Sequence, residues 1–224
     1  MNAHSADTPD RTLLVDALSG RRQLYRQWIK PALDAMVATV AVLFLLPVFI
    51  AVAIAIRLDS PGPVLFRQRR YGLGGHPVLI TKFRTMRHEL TDTGGRQQAT
   101  RGDMRVTRIG RFLRSTCLDE IPQFVDVMFG RLALVGPRPH PIEMEIGGEK
   151  AERVIENYHA RHLVRPGITG LAQINGNRGP LVDVAMGQER IDYDIAYIRK
   201  CNFWLDLQIL LATLTIPFRK GGSY

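Results

Sequence analysis

Hydrophobic positions are concentrated first in a single run, Ala35 to Ile56, twenty-two residues without a charge. As a helix it would extend about 33 Å, matching a bilayer hydrocarbon core of about 30 Å. The run starts too late and is too long for a cleavable leader, and no small-residue cleavage site is suitably placed. It therefore predicts a membrane segment rather than a core helix. Pro47 lies just past its midpoint, removes a backbone donor and crowds the preceding turn, which predicts a bend. Arg11, Arg21, Arg22, Arg26 and Lys30 precede the run; Arg57, Arg67, Arg69 and Arg70 follow it. A simple span normally shows a Lys/Arg imbalance. Basic residues at both ends suit a re-entrant segment that enters, breaks near Pro47 and returns.

Upstream, residues 1–10 are polar and read as a disordered tail. Residues 11–30 read as a basic amphipathic helix at the membrane surface, with Leu13, Leu14, Leu18, Leu24 and Trp28 on its apolar side. Downstream, Ser60-Pro-Gly-Pro63 is a turn, and Val64–Arg70 and Val78–Met86 are strand candidates of one hairpin. Gly72-x-Gly74 is not a dinucleotide fingerprint, because no helix follows and the third glycine is missing. Residues 88–104 form a polar loop expected to be mobile and to lie over the site. Arg108–Leu113 reads as a helix. Glu120–Phe129 reads as another, stopped by Gly130 and tolerating Pro122 in its first turn, with Asp119 at or near its N-cap. Ala151–His162 and Met186–Lys200 read as helices, Gly167–Gly179 as a glycine-rich loop. Phe203–Phe218 fits a core helix or an amphipathic helix on the bilayer.

These elements predict a mixed α/β class, helix-rich with a small β-hairpin, carried on a monotopic membrane anchor. Three regions follow: a tail and amphipathic helix (1–30), a re-entrant helix broken near Pro47 (31–58) and a cytosolic catalytic domain ending in an amphipathic helix (59–224). At 224 residues the chain can bury one good core. Its net charge of +9 implies an anionic partner: nucleic acid, membrane lipid or a phosphorylated substrate. Two cysteines, Cys117 and Cys201, give neither a disulfide framework nor zinc spacing.

The acid pair Asp119-Glu120 is the sharpest chemical signal, standing among arginines on a basic chain. One carboxylate can attack phosphorus, the other can hold a divalent cation, and guanidinium groups can neutralise phosphate oxygens. The plainer reading is two acids opening a helix. Lys82-Phe-Arg-Thr-Met86 puts Lys82 and Arg84 on one strand face. Arg114 precedes Asp119 by five residues. Arg138 sits between prolines and Arg165 before one, where a rigid backbone pre-sets a phosphate contact. His159 and His162 lack a third metal ligand and read as structural. Cys117 reads as a small packing residue. Asp103, Tyr193, Asp194 and Asp206 read as structural.

Lys82-Phe-Arg-Thr-Met86, Leu118-Asp-Glu-Ile-Pro-Gln123, Val135-Gly-Pro-Arg-Pro139 and Arg165-Pro-Gly-Ile-Thr-Gly-Leu-Ala-Gln-Ile-Asn-Gly176 together resemble the bacterial sugar transferases, small monotopic polyprenyl-phosphate phosphoglycosyl transferases. The resemblance runs from about Lys30 to Thr213, with the motifs in order. It implies that Asp119 attacks the sugar-linked phosphorus of a UDP-hexose, expelling UMP and leaving a phosphosugar-aspartyl ester. Glu120 would bind Mg²⁺, and polyprenyl phosphate would then take the sugar phosphate. Arg114, Arg138, Lys82 and Arg84 would hold phosphate oxygens, with Pro139, Arg165, Thr169 and Gln173 in support. The family is re-entrant at a proline, which Pro47 matches.

Glucose is the sugar that the resemblance suggests, then galactose, with an N-acetylated amino sugar open. The expected place is the bacterial inner membrane, facing the cytoplasm, with membrane lipid as a partner and a homodimer allowed. A carboxylate nucleophile is already ionised near neutral pH and needs no general base. Two rivals stand: direct attack by the lipid phosphate with no covalent step, and a non-enzymatic basic membrane-tethered module. Nucleic acid is not expected, because the basic surface lacks interleaved aromatics.

Overall fold

The computed structural model describes residues 23–215, apart from 93, 97 and 101. The expected amphipathic helix over 11–30 therefore lies mostly outside the described residues. Its last part is helical, a π-type turn over Tyr25–Ile29 that runs into α1 (Lys30–Asp59). Pro31 falls in the first turn of α1, where its missing N–H has no partner to lose. The helix stops at Ser60, and Pro61 and Pro63 bar its continuation while Gly62 takes φ +109°.

Helix α1 is hydrogen-bonded as one element through Pro47, so the expected division into two helices is not seen. From Tyr25 to Asp59 the helical stretch is long and apolar enough to cross a membrane, and most of it is not buried by protein. One face of its middle is bare: Val40, Leu43, Phe44 and Ile50 are exposed, Phe44 at 80%, while Leu45, Val48 and Phe49 pack against the body. Residues nearer its ends are buried. Ala38 joins a core with Ile80, Val127 and Leu132, while Val52 and Ile56 join Phe83, Leu113 and Ile121. Phe124 packs against both clusters.

Strands β1 (Leu65–Tyr71) and β2 (Pro77–Phe83) pair antiparallel, with Phe66 opposite Lys82 and Arg70 opposite Val78. The hairpin is as expected, but β2 stops at Phe83; Met86 only bridges to Val106. Helix α2 (Arg108–Ser115) is capped by Thr107 Oγ1, which accepts from Gly110 N. A Cβ on Gly110 would lie 2.0 Å from the Thr85 carbonyl oxygen, so only glycine lets α2 approach this chain segment. After a 3₁₀ turn, Leu118–Glu120, comes α3 (Gln123–Met128), ended by Gly130 at φ +70°.

Strand β3 (Ala133–Val135) pairs parallel with β6 (Gly167–Thr169), and β4 (Glu145–Ile146) pairs with β5 (Glu149–Lys150). Two expectations fail between these strands and beyond. The helix expected over Ala151–His162 is a single turn, α4 (Ala151–Val154), then a 3₁₀ segment over Tyr158–Leu163. Asn157 at φ +54° separates them. The stretch Gly167–Gly179 is no open loop but holds β6 and α5 (Leu171–Ile174). Helix α6 (Val184–Lys200) is capped by Asp183 and α7 (Phe203–Leu214) by Asn202. On α7 Asp206 and Ile209 are buried while Trp204, Leu211 and Leu214 are exposed, so one face joins the core and the other does not.

Candidate active site

Asp119 and Glu120 lie in the 3₁₀ turn after α2, entered through Cys117 in the left-handed region at φ +58°. The N-cap of α3 is Pro122, so Asp119 is not at that cap, and the expected helix-terminus anion site is corrected. Cys117 is exposed, which overturns its reading as a packing residue.

The two acids differ sharply. Glu120 is clamped: Lys82 Nζ lies 2.5 Å from its Oε1, and the Arg138 guanidinium takes both carboxylate oxygens, with Nη1 donating to Oε2 at 3.1 Å. Asp119 accepts no hydrogen bond among the described residues and faces a cavity of about 240 Å³. Burial pushes the Asp119 carboxyl up to about 6, and the Glu120 charge adds to this, against the opposing pull of Lys82, Arg114 and Arg138. Burial would raise Glu120 too, but the Arg138 and Lys82 charges outweigh it and hold Glu120 well below the usual range. Burial lowers Lys82 despite Glu120, whereas the Glu120 charge raises Arg138. Two adjacent carboxylates are thus pushed apart in acidity, the arrangement that separates a reactive group from a fixed one.

Lys82 reaches the site from β2, and its cross-strand neighbour Phe66 lines the same cavity. Arg138 is placed by a tight crossing of β3 and β6. A Cβ on Gly167 would lie 2.1 Å from Gly136 N, so glycine is required where the backbones touch. Arg114, in the last turn of α2, donates from Nε to Thr85 Oγ1 at 2.9 Å, which fixes its head while leaving the terminal nitrogens for an anion.

Of the expected residues, Asp119, Lys82, Arg114, Arg138 and Pro139 converge on this cavity. Arg84 also touches its wall, but its terminal nitrogens donate to the carbonyls of Ser60 and Pro61, tying down the turn after α1. Arg165, Thr169 and Gln173 are elsewhere. Thr169 bonds Thr213 at 2.7 Å, Gln173 donates to Ile168 O at 3.0 Å, and Arg165 lines a different cavity. Sequence reasoning missed Arg70, His140, Arg178 and Arg190 on the same wall. Alternation along β1 could have found Arg70, since Phe66, Gln68 and Arg70 share the cavity face. Burial, then Arg138, lowers Arg70 to about 10. The loop over 88–104 does border the cavity through Asp92 and Gln98, whose amide is bonded to the Leu181 backbone. His159 and His162 meet the Tyr158 ring edge-on, with no cluster of three metal-ligating side chains among the described residues.

Mg²⁺ characteristically takes one or two protein carboxylates and completes its shell with water and substrate phosphates. Two adjacent carboxylates beside an anion-ready cavity fit that donor set. Because Lys82 and Arg138 hold Glu120, a cation there would share an oxygen already in use.

A family model described as bacterial sugar transferase matches residues 25–220. The UDP-glucose:undecaprenyl-phosphate glucose-1-phosphate transferase of Escherichia coli (strain K12) is 43% identical over 92% of this chain and 43% of its own length. The exopolysaccharide production protein PSS of Rhizobium leguminosarum bv. phaseoli is 41% identical over 88% of this chain and 98% of its own. A UDP-N-acetylgalactosamine-undecaprenyl-phosphate N-acetylgalactosaminephosphotransferase of Aeromonas hydrophila is 40% identical over 84% of this chain and 43% of its own. The chain spans less than half the length of the glucose and N-acetylgalactosamine enzymes named here. By the extent of the family match, the chain belongs to the bacterial sugar transferases.

Proposed function

We propose that this protein transfers hexose-1-phosphate from a UDP-hexose to polyprenyl phosphate, releasing UMP, and so starts a surface glycan. The observation that carries the reading is the contrast inside the acid pair: Glu120 is locked between Lys82 and Arg138, while the Asp119 carboxylate is unengaged at the cavity. An Asp119 oxygen attacks the sugar-linked phosphorus; the phosphorus–oxygen bond to UMP breaks, and UMP leaves with that bond's electron pair. An oxygen of the lipid phosphate then attacks the same phosphorus, and Asp119 departs as carboxylate. Arg114 and Arg138 bind the equatorial phosphate oxygens, and Lys82 keeps Glu120 oriented. Mg²⁺ would be held by Glu120 with the substrate diphosphate and would supply charge neutralisation. With a pKa near 6 the nucleophile is mostly ionised at pH 7, so no separate base is needed.

Glucose is the sugar that five similar enzymes are named for; the Aeromonas relative keeps N-acetylgalactosamine in play. The membrane reading is a re-entrant α1. Basic residues flank it at both ends and one of its faces stays bare, with Val40, Leu43, Phe44 and Ile50 exposed, which suits a segment that dips in and returns. The return would need a bend at Pro47, through which α1 runs here as one helix. The site then faces the cytoplasm at headgroup level on the inner membrane. UMP release from a panel of UDP-sugars, with and without polyprenyl phosphate and Mg²⁺, tests the reaction class. Strong release with UDP-glucose supports it; salt-sensitive nucleic-acid binding without any release would favour the non-enzymatic module.

A further inference from the structure

The backbone on which Arg138 stands is tied at each carbonyl from Pro137 to His140. Pro137 O accepts from Gly167 N at 2.9 Å, and His140 O accepts from Tyr71 N at 3.1 Å. The two carbonyls between them are met by guanidinium groups. Arg161 Nη2 donates to Arg138 O at 2.6 Å, and Arg70 Nη1 donates to Pro139 O at 2.6 Å. Arg161 is in turn ion-paired with Asp194 of α6 at 2.8 Å, and both side chains are 2% exposed. We propose that Arg161, held by Asp194, is a positioning residue that aims the Arg138 guanidinium at Glu120 and the substrate phosphate. The inference rests on the catalytic reading above and deepens it.

A buried ion pair is a weak source of stability, since apolar residues of similar volume in its place are often neutral or stabilising. What apolar residues cannot supply is a directed, charge-assisted hydrogen bond to the Arg138 carbonyl. The surroundings of Arg161 fix its own direction. Its guanidinium carbon stands 5.6 Å from the centre of the Tyr158 ring, and the Tyr158 hydroxyl is hydrogen-bonded to His140 Nδ1 at 3.0 Å. One cluster therefore reaches the segment at both Arg138 and His140. Arg70 is committed as well, with Nε and Nη2 donating to Gln68 Oε1 at 3.0 and 2.7 Å. Arg138 thus projects from a backbone that cannot drift, and its Nη1 meets Glu120 Oε2 at 3.1 Å. Such precision bears on rate, because a 1 Å misplacement of a charge-stabilising group can cost about a hundredfold.

The test replaces the pair by Arg161→Met together with Asp194→Leu in the full chain in detergent micelles. UMP release from UDP-glucose, with polyprenyl phosphate and Mg²⁺, is read beside the unfolding temperature. The unfolding temperature should hold or rise, because no charge is left buried alone. The kcat should nonetheless fall about tenfold or more, with the KM for UDP-glucose changed less than about threefold, since the aim of Arg138 counts where charge develops in the transition state. In an Arg138→Met background the same replacement should cost less than about a further twofold, because Arg161 then has nothing to aim. Should the replaced pair lower the unfolding temperature, Arg161→Lys, which keeps a cation beside Asp194, takes its place in both backgrounds. It should give a smaller loss alone and none on top of Arg138→Met. An unchanged kcat, or a loss that multiplies in full with that of Arg138→Met, would overturn the proposal while leaving the catalytic reading intact. No UMP release from the unaltered protein would overturn the catalytic reading and the proposal with it.

Discussion

Replacing Asp119, the proposed nucleophile, should make the protein more stable, and only above a definite pH. Asp119 is lifted from an ordinary 3.8 to about 6, chiefly by burial. At 1.36 kcal/mol per pH unit, holding this carboxylate ionised costs the folded state about 3 kcal/mol. The folded pKa lies above the unfolded one, so the folded state takes up the proton more readily. The penalty is therefore complete above about pH 6 and disappears as pH falls toward 4. Asp119→Asn removes the charge and keeps the shape, so it should stabilise by up to about 3 kcal/mol at pH 7.5 and by almost nothing near pH 4. For a domain of this size that is up to about 10 °C in unfolding temperature. Thermal unfolding of both proteins in micelles at the two pH values reads the difference. A variant no more stable than the parent at pH 7.5, or equally stabilised at both pH values, would refute the reasoning that burial strains this carboxylate.

UMP release should fall with unit slope below about pH 6, as Asp119 becomes protonated; a rate flat to pH 4.5 contradicts an aspartate nucleophile with that pKa. Arg138→Met leaves Glu120 with Lys82 alone; it should lower stability by about 3 kcal/mol and turnover by about a hundredfold or more, read by unfolding and UMP release. Gly110→Ala forces a Cβ against the Thr85 carbonyl and should cost about 1–3 kcal/mol, together with activity lost through the displaced Arg114. Arg84→Gln breaks two bonds to the Ser60 and Pro61 carbonyls; it should cost about 1–3 kcal/mol while sparing the KM for UDP-sugar, and a raised KM would restore Arg84 to the phosphate site.

What the sequence disclosed was whatever lies in periodicity or in close spacing. Apolar-rich segments on either side of Tyr71–Pro77 disclosed the hairpin, and the uncharged run disclosed α1. The acid pair and the arginines at 114 and 138 were legible because each sits on or beside a rigid turn. Motif membership was a poorer guide to place. Arg165, Thr169 and Gln173 share a motif yet point to three different tasks, one of them at a separate cavity. Gly167 reads as loop but meets Gly136 in a close backbone crossing, which depends on a partner thirty-one residues away. Asn157 interrupts the expected helix over 151–162, and the following residues instead pack Tyr158 edge-on and His162 tilted against Tyr71. No local pattern announces a contact of that range. The clamp on Glu120 was hidden for the same reason, since Lys82, Glu120 and Arg138 come from three separate elements.

The most direct test of the central claim is the intact mass of the protein after incubation with UDP-glucose and Mg²⁺ but no lipid acceptor. The account predicts one added hexose phosphate, mapped to the peptide carrying Asp119, accompanied by one equivalent of UMP, and discharged when polyprenyl phosphate is supplied. An unmodified mass under conditions where the complete mixture turns over, or an Asp119→Asn enzyme that still transfers sugar phosphate, would contradict it.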